Sequence, residues 1–330
     1  MNELRVTNNI NLYACYKAED VYTNPTSYQY FNISDGKISL KPEYKNILAG
    51  KITLPENDEH GNKITVFGDF AQSEKITHIF FENPYSCAYA TVDNKACEKS
   101  KELIYVDLPT SISKIGSRAF AECLKLTSVN LDANDNITSI ESEAFYGIGS
   151  APEQQMQITI TKLPAALTKL GGRAFCYGGP NITIKELPKG LTELEGYVFG
   201  WCPYIAIQEF GSNDNSSMLG SIKQYALCNC GYGKQWDNAK FHFYSSVKKI
   251  DAGVFNESSF GEKAEAIFYH TESADKAVLY ETYTGSPTYS SPDGSGSVPE
   301  GKTLGSMGWG NRAFGYYDYV NGIYYTGGID

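Results

Sequence analysis

The residues of this chain best suited to metal or redox chemistry are its eight cysteines and four histidines, and their spacing argues against both uses. Cys228-Asn229-Cys230 is the tightest pair, a C-x-C with no second pair and no histidine at ligand spacing, while His60, His78, His242 and His270 stand singly. Zinc needs three or four converging ligands, so neither a metal site nor a cofactor is expected. Nucleophilic chemistry has no better footing. Serine, histidine and aspartate are present, but without a G-x-S-x-G elbow, an H-E-x-x-H helix or a phosphate-binding loop. The neighbouring carboxylates Glu141 and Glu143 fall in turns, where solvated charge is ordinary. No catalytic residue is assigned, and an enzyme is not expected.

The charge balance narrows the partners. With 38 Asp and Glu against 28 Lys and Arg, the formal charge is −10. A chain without a basic surplus has nothing to displace counterions from phosphates, which opposes nucleic acid and anionic lipid as general partners. No apolar run reaches the ~18 residues of a membrane span, and the opening MNELRVTNNINLYACYK lacks the apolar stretch of a signal peptide. The chain is therefore expected to carry neither a transmembrane segment nor a leader.

What positions the side chains is a repeat. An apolar residue, another three later, a small residue four further on and a large apolar residue immediately after it recur along the chain. ISKIGSRAF carries the pattern at Ile112, Ile115, Ala119 and Phe120, and LTKLGGRAF at Leu167, Leu170, Ala174 and Phe175. The large residues of the series are Phe120, Phe145, Phe175, Phe199, Leu227 and Phe255, at intervals of roughly 24–30 residues, the range of solenoid proteins. A shortened copy, ITVFGDF, precedes them at Ile64 to Phe70. Between copies lie alternating segments such as LIYVDLP, ITITKLP and ITIKELP. Alternation with β-branched residues predicts strands that show one face inward, ended by proline. FHFY and AIFY read as the last of these strands.

A single unit cannot cover its own apolar side, so stacked units must share one core. In that core the alanines let coils approach and Phe120, Phe145, Phe175, Phe199, Leu227 and Phe255 fill the space between them. Gly116 and Gly171 are expected where the backbone turns sharply. With Ile158, Ile160, Ile182 and Ile184 pointing in, Thr159, Thr161, Thr183, Lys185, Ala206, Gln208, His242 and Tyr244 point out along one ribbon. A ribbon of about 30 Å suits a protein or a polysaccharide better than a small metabolite, and these residues form the candidate binding face.

The units ISKIGSRAFAECLKLTSV and LTKLGGRAF resemble the BspA-like, or Treponema pallidum-type, leucine-rich repeat, which pairs an Ile-Gly turn with Ala-Phe and a following cysteine. The resemblance implies a β-rich (α+β) solenoid: a right-handed leucine-rich-repeat array with one short strand per repeat and non-repeat caps at both ends. It also implies buried cysteines at Cys123, Cys202 and Cys230, read as free thiols in the core. Glu141 and Glu195 depart from it by replacing the turn glycine, and Cys176 sits one residue after its phenylalanine instead of three. The expected organisation is an N-terminal cap over 1–50, with a hairpin turn at Asp35-Gly36, about seven repeats over 51–270, and a Gly/Ser/Tyr-rich C-terminal cap over 271–330. The resemblance further implies a monomeric, surface-exposed or secreted bacterial binding module that meets host matrix proteins or other cells. The alternative is a spacer array of a larger envelope protein with no ligand of its own.

Overall fold

Strands of two residues are too short to hold together alone, and in this protein they gain stability by stacking in register. The computed structural model describes residues 25–148, 160–178, 182–202, 205–212, 214, 216–230, 240–244, 246–247, 249–250, 254, 264–273, 276–285, 315–318 and 323–326. Phe255, Thr159, the insertion at 149–157 and the GWGNRAF segment at 308–314 lie outside the described residues. Among the described residues the helical content is three single 3-10 turns, at Tyr28–Tyr30, Pro42–Tyr44 and Leu131–Ala133, and the fold is a β-solenoid. No helix among them is long and apolar enough to cross a membrane.

Two parallel ladders run along the coils. The first begins with an antiparallel hairpin, Phe31–Ser34 and Lys37–Leu40, whose turn places Asp35 and Gly36 at positive φ, the geometry two-residue hairpins require. Lys37–Leu40 then pairs in parallel with Val66–Phe67, followed by Thr91–Val92, Lys114–Ile115, Ser139–Ile140 and Lys169–Leu170. Glu193–Leu194, Ser221–Ile222 and Lys249–Ile250 form a further sheet of the same kind. The second ladder joins Gly50–Leu54, Ile76–Phe81, Tyr105–Val106 and Ser128–Val129. It narrows to a single bridge between Ile160 and Ile182, then widens again through Glu209–Phe210, Lys240–Phe243 and Ala264–Ser273. Ala264–Ser273 turns back antiparallel against Lys276–Gly285, and Gly315–Asp318 pairs with Ile323–Thr326 in a last hairpin.

The alternating segments of the sequence thus supply the second ladder, with ITITKLP and ITIKELP reduced to one bridge. The first ladder comes from the Ser-Lys-Ile and Thr-Lys-Leu pieces of the repeat, which are too short to show alternation.

Between the ladders each coil makes a spring of turns around its Ala-Phe pair. In one coil the amides of Arg118, Phe120 and Glu122 donate forward to the carbonyls of Ser142, Ala144 and Tyr146 in the next. The amides of Ala119, Ala121 and Cys123 donate within the coil, three residues back. The first ladder donates in the opposite sense, with Gly116 N to Val92 O at 2.8 Å and Glu141 N to Ile115 O at 2.9 Å. The spring needs left-handed residues on either side of its large core residue: Arg118 and Glu122, Arg173 and Tyr177, Tyr197 and Trp201, Tyr225 and Asn229 all have φ between 52 and 61°. Side chains in that region cost free energy because Cβ crowds the backbone.

The core is a column of rings. Phe120 to Phe145 is 5.3 Å between centroids, Phe145 to Phe175 is 5.2 Å and Phe175 to Phe199 is 5.8 Å, all near parallel. Leu227 continues the column, and all five side chains are fully buried. A second pair, Phe210 and Phe243, stacks at 4.9 Å behind the second ladder. Burial of each ring contributes about 1.5–3 kcal/mol.

Gly116 and Gly171 have a different reason from the sharp turn expected of them, since neither is at positive φ. A Cβ on Gly116 would lie 2.6 Å from the Asn94 amide nitrogen, and one on Gly171 2.4 Å from that of Ser142. Gly68 meets the Ile38 carbonyl at 2.5 Å in the same way. The residues at this place read Gly68, Asp93, Gly116, Glu141, Gly171, Glu195 and Lys223 in successive coils. Glu141 and Glu195 therefore belong to a stretch in which every second coil gives up its side chain to its predecessor's backbone, and the alternation ends where Lys223 follows Glu195.

The consequences at three positions can be measured by chemical denaturation. Phe175→Ala should lower stability by about 3–5 kcal/mol through the cavity it leaves, and Gly171→Ala by about 1–3 kcal/mol through overpacking. At Lys99, exposed and at φ 60°, Lys99→Gly should raise stability by up to about 1 kcal/mol, whereas Lys99→Val should lower it by about 1–2 kcal/mol.

Candidate functional site

The second ladder has one face in the core and one outside. Ile52, Leu54, Ile79, Phe81, Val106 and Val129 point in and are buried. Pairing of Lys51 with His78 and of His78 with Tyr105 puts these three side chains in one outward row. Phe80 lies beside them. His78, Phe80 and Tyr105 form a cluster with centroids 5.6 to 6.2 Å apart. Burial first, and then the charge of Lys51, lowers the His78 pKa and keeps its ring neutral at pH 7. Burial, reinforced by Asp107, raises the Tyr105 pKa, so its hydroxyl stays protonated.

Further along, Thr161 and Thr183 are neighbours across the Ile160–Ile182 bridge, Thr161 exposed and Thr183 half-buried. Lys185 is exposed, and Ala206, Gln208, His242 and Tyr244 are half-buried, while Ile182, Ile184, Ile205 and Ile207 face the core. Glu209 pairs with His242 and Phe210 with Phe243, and because the two phenylalanines take the core positions, both Gln208 and Glu209 lie outside. The Tyr244 hydroxyl donates to Glu209 Oε2, His242 Nε2 lies 4.0 Å from Glu209 Oε1, and the His242 and Tyr244 rings stack at 6.1 Å. Lys51, His78, Phe80, Tyr105 and Glu209 were not among the residues expected on this face. The alternation in LIYVDLP carried the signal for Tyr105, whereas ITHIFF does not alternate, and the outward place of His78 follows from its pairing with Lys51 and Tyr105.

The remaining groups of interest are structural. All seven described cysteines are free and buried. Cys123 Sγ donates to the Cys97 carbonyl at 2.9 Å, Cys202 Sγ to that of Phe175 at 2.9 Å and Cys230 Sγ to that of Phe199 at 3.1 Å, each one coil back. In the earliest coils Ser100 takes this place, its Oγ donating to the Phe70 carbonyl at 3.1 Å and accepting from Ser73 Oγ. Burial pushes the Cys123 and Cys176 thiols up to about 12, which removes the thiolate that redox or metal chemistry uses. Among the described residues no group of three or more His, Cys, Asp or Glu is arranged to hold a metal.

Charge pairs tie coil to coil on the outside. Arg118 bridges Glu98 at 2.5 Å, Glu122 at 2.9 Å and Glu143. Glu141 accepts from Lys169 at 2.6 Å and from Ser139 at 2.9 Å, with Lys114 at 3.6 Å.

A family model described as the BspA type leucine rich repeat region matches residues 90–164 and 153–262 in six copies, just over half the chain. The chain belongs to the BspA-type leucine-rich repeat family. Solved structures similar to this BspA-type array include the leucine-rich repeat protein of T. pallidum, at 15% identity and a TM-score of 0.40, covering 60% of this chain and 81% of that one. A leucine-rich repeat protein from Bacteroides ovatus has 17% identity and a TM-score of 0.48, covering 70% of this chain and 62% of its own length. The pneumococcal vaccine antigen PcpA has 14% identity and a TM-score of 0.34, covering 71% and 77%. At these scores the family assignment rests on the repeat match alone. No curated protein matches the chain.

Glu141 gives the BspA-type coil a measurable pH dependence. Burial, the largest influence, raises its pKa, but the hydrogen bonds from Lys169 and Ser139 and the charges of Lys169 and Lys114 outweigh it and hold the carboxyl below its usual range. A depressed folded-state pKa stabilises the fold fully above the unfolded value, about 4.3, and this contribution is lost as pH falls through the folded value. Urea midpoints of the wild type and Glu141→Gln should therefore differ at neutral pH and converge below the ordinary carboxylate range.

Proposed function

We propose that this protein is a non-catalytic binding module, exposed at the cell surface or secreted, whose outward row on the second ladder contacts an extended protein or polysaccharide ligand. The observation that supports this reading is the register of that row. From Lys51, His78 and Tyr105 through Thr161 and Thr183 to Glu209 and His242, polar and aromatic side chains repeat outward across successive coils while the inward positions are committed to the core. Coils about 4.8 Å apart make this a long, shallow strip, and long shallow strips fit polymers. The sheet-face residues Thr161, Thr183, Lys185, Gln208, His242 and Tyr244 form one half of the strip. The His78, Phe80 and Tyr105 cluster forms the other, and its aromatic character is of the kind enriched at protein interfaces. The family resemblance implies host matrix proteins or other cells as partners.

Immobilised protein screened against matrix proteins and polysaccharides should retain a ligand. Combined substitution of Lys185→Glu and Tyr105→Ala should weaken that binding by about tenfold or more in protein whose thermal transition shows it still folded. Absence of any ligand in such a screen favours the spacer reading, and unchanged binding by the double variant removes the sheet face as the contact surface.

A further inference from the structure

Three residues after its large core residue, each spring has a place whose side chain can reach back one coil. In successive coils this place holds Ser73, Ser100, Cys123, Ile148, Gly178, Cys202 and Cys230. The stack does not call for sulfur there. Ser100 makes the backward bond with a hydroxyl, and Ile148 and Gly178 carry no side-chain donor at all. Among the described coils, Cys202 and Cys230 are the pair in which one thiol directly follows another.

Side chains at this place meet their counterparts in the next coil. Ser73 Oγ donates to Ser100 Oγ at 3.1 Å, and Ser100 Oγ donates to the Phe70 carbonyl at 3.1 Å. Cys230 repeats the second bond, to the Phe199 carbonyl at 3.1 Å, and Cys202 stands to it as Ser73 stands to Ser100. Equivalent Cα atoms in successive coils are about 4.8 Å apart, inside the roughly 4.4–6.8 Å that a disulfide spans. Cys176 and Cys228, each one residue after its core residue, are separated by the coil of Gly200, about 9.6 Å and beyond the ~7 Å limit. Cys97 occupies the core place itself. Loss of the two S–H donations strands no acceptor, because Phe175 O also accepts from Gly178 N at 2.9 Å and Phe199 O from Cys202 N at 3.1 Å.

We propose that a disulfide joins Cys202 to Cys230 and closes one coil into a ring when the chain folds in the presence of a disulfide oxidant such as glutathione disulfide. One of the two sulfurs, as thiolate, attacks the oxidant and expels a glutathione thiolate. The other then attacks the first sulfur in the mixed disulfide and expels the second glutathione. Two protein thiols are oxidised, one glutathione disulfide is reduced, and the two thiol protons end on the two glutathiones. The bond forms before the coils stack. In the folded array both sulfurs are fully buried, and burial raises both thiols above their ordinary pKa, which withholds the thiolate. The coil so closed bears Glu209 of the outward row and the insertion from Gly211 to Met218, and the cross-link limits the freedom this loop gains on unfolding.

The test is to unfold and reduce the full chain, then refold it either with a glutathione redox couple or with dithiothreitol. Alkylation and peptide mapping should find Cys202 joined to Cys230 in the first sample and both free in the second. The oxidised protein should have the higher thermal midpoint, by several degrees. Cys202→Ser and Cys230→Ser each keep a donor, as Ser100 does, so each should fold, lose the bond and show one midpoint in both solvents. Cys123→Ser should keep both the bond and the difference in midpoint. Should one of the first two variants fail to fold, the other carries the test. Free Cys202 and Cys230 in folded protein from the glutathione sample overturn the proposal, as does a bond from either of them to Cys176 or Cys228, or equal midpoints of oxidised and reduced wild type.

Discussion

The structure depends on the requirement that every buried backbone amide find an acceptor when strands are only two residues long. It is met by opposed donation: ladder amides such as Gly116 and Glu141 reach back one coil, while spring amides such as Arg118, Phe120 and Glu122 reach forward. Each coil is thereby fixed from both sides, and the phenylalanine column can form because the spacing is already set. The left-handed residues are the cost of that arrangement. They let alternate amides of one short segment point first within the coil and then out to its neighbour.

The same opposed bonding is the reason side chains at a given place in the coil act as columns. Phe120, Phe145, Phe175 and Phe199 stack because the backbones beneath them are locked one coil apart. Ser100, Cys123, Cys202 and Cys230 perform one task, donation to the carbonyl one coil back, with either oxygen or sulfur. The chemistry of the residue matters less than a small donor at that place. A cysteine-rich chain can for this reason bury its thiols without making them reactive.

The column was legible in the sequence because a small residue followed by a large apolar one, recurring in register, is what a stacked core demands of each coil. The first ladder was not, since Lys114–Ile115 and its equivalents are too short for a period of two to show. The role of Gly116 and Gly171 was hidden for another reason: glycine in sequence signals either a left-handed turn or a close approach, and only the distance to Asn94 and Ser142 separates them. On the candidate face Thr161 and Thr183 follow the bridged Ile160 and Ile182, whereas strict alternation stops at Gln208-Glu209, because Phe210 stacks on Phe243 in the core. The left-handed positions had no sequence signature, because lysine, arginine, glutamate and tyrosine are not residues that announce positive φ.

The alternation of Gly68, Asp93, Gly116, Glu141, Gly171 and Glu195 gives this stretch of the array a grain. Its structural quantum is two coils, one that yields and one that projects, and the interfaces on either side of a glycine are not interchangeable. Loss or gain of a lone coil would set two projecting carboxylates against each other, or bring two bare backbones together across a gap. Within that stretch coils are added or lost most readily by even steps, a parity that lapses where Lys223 follows Glu195.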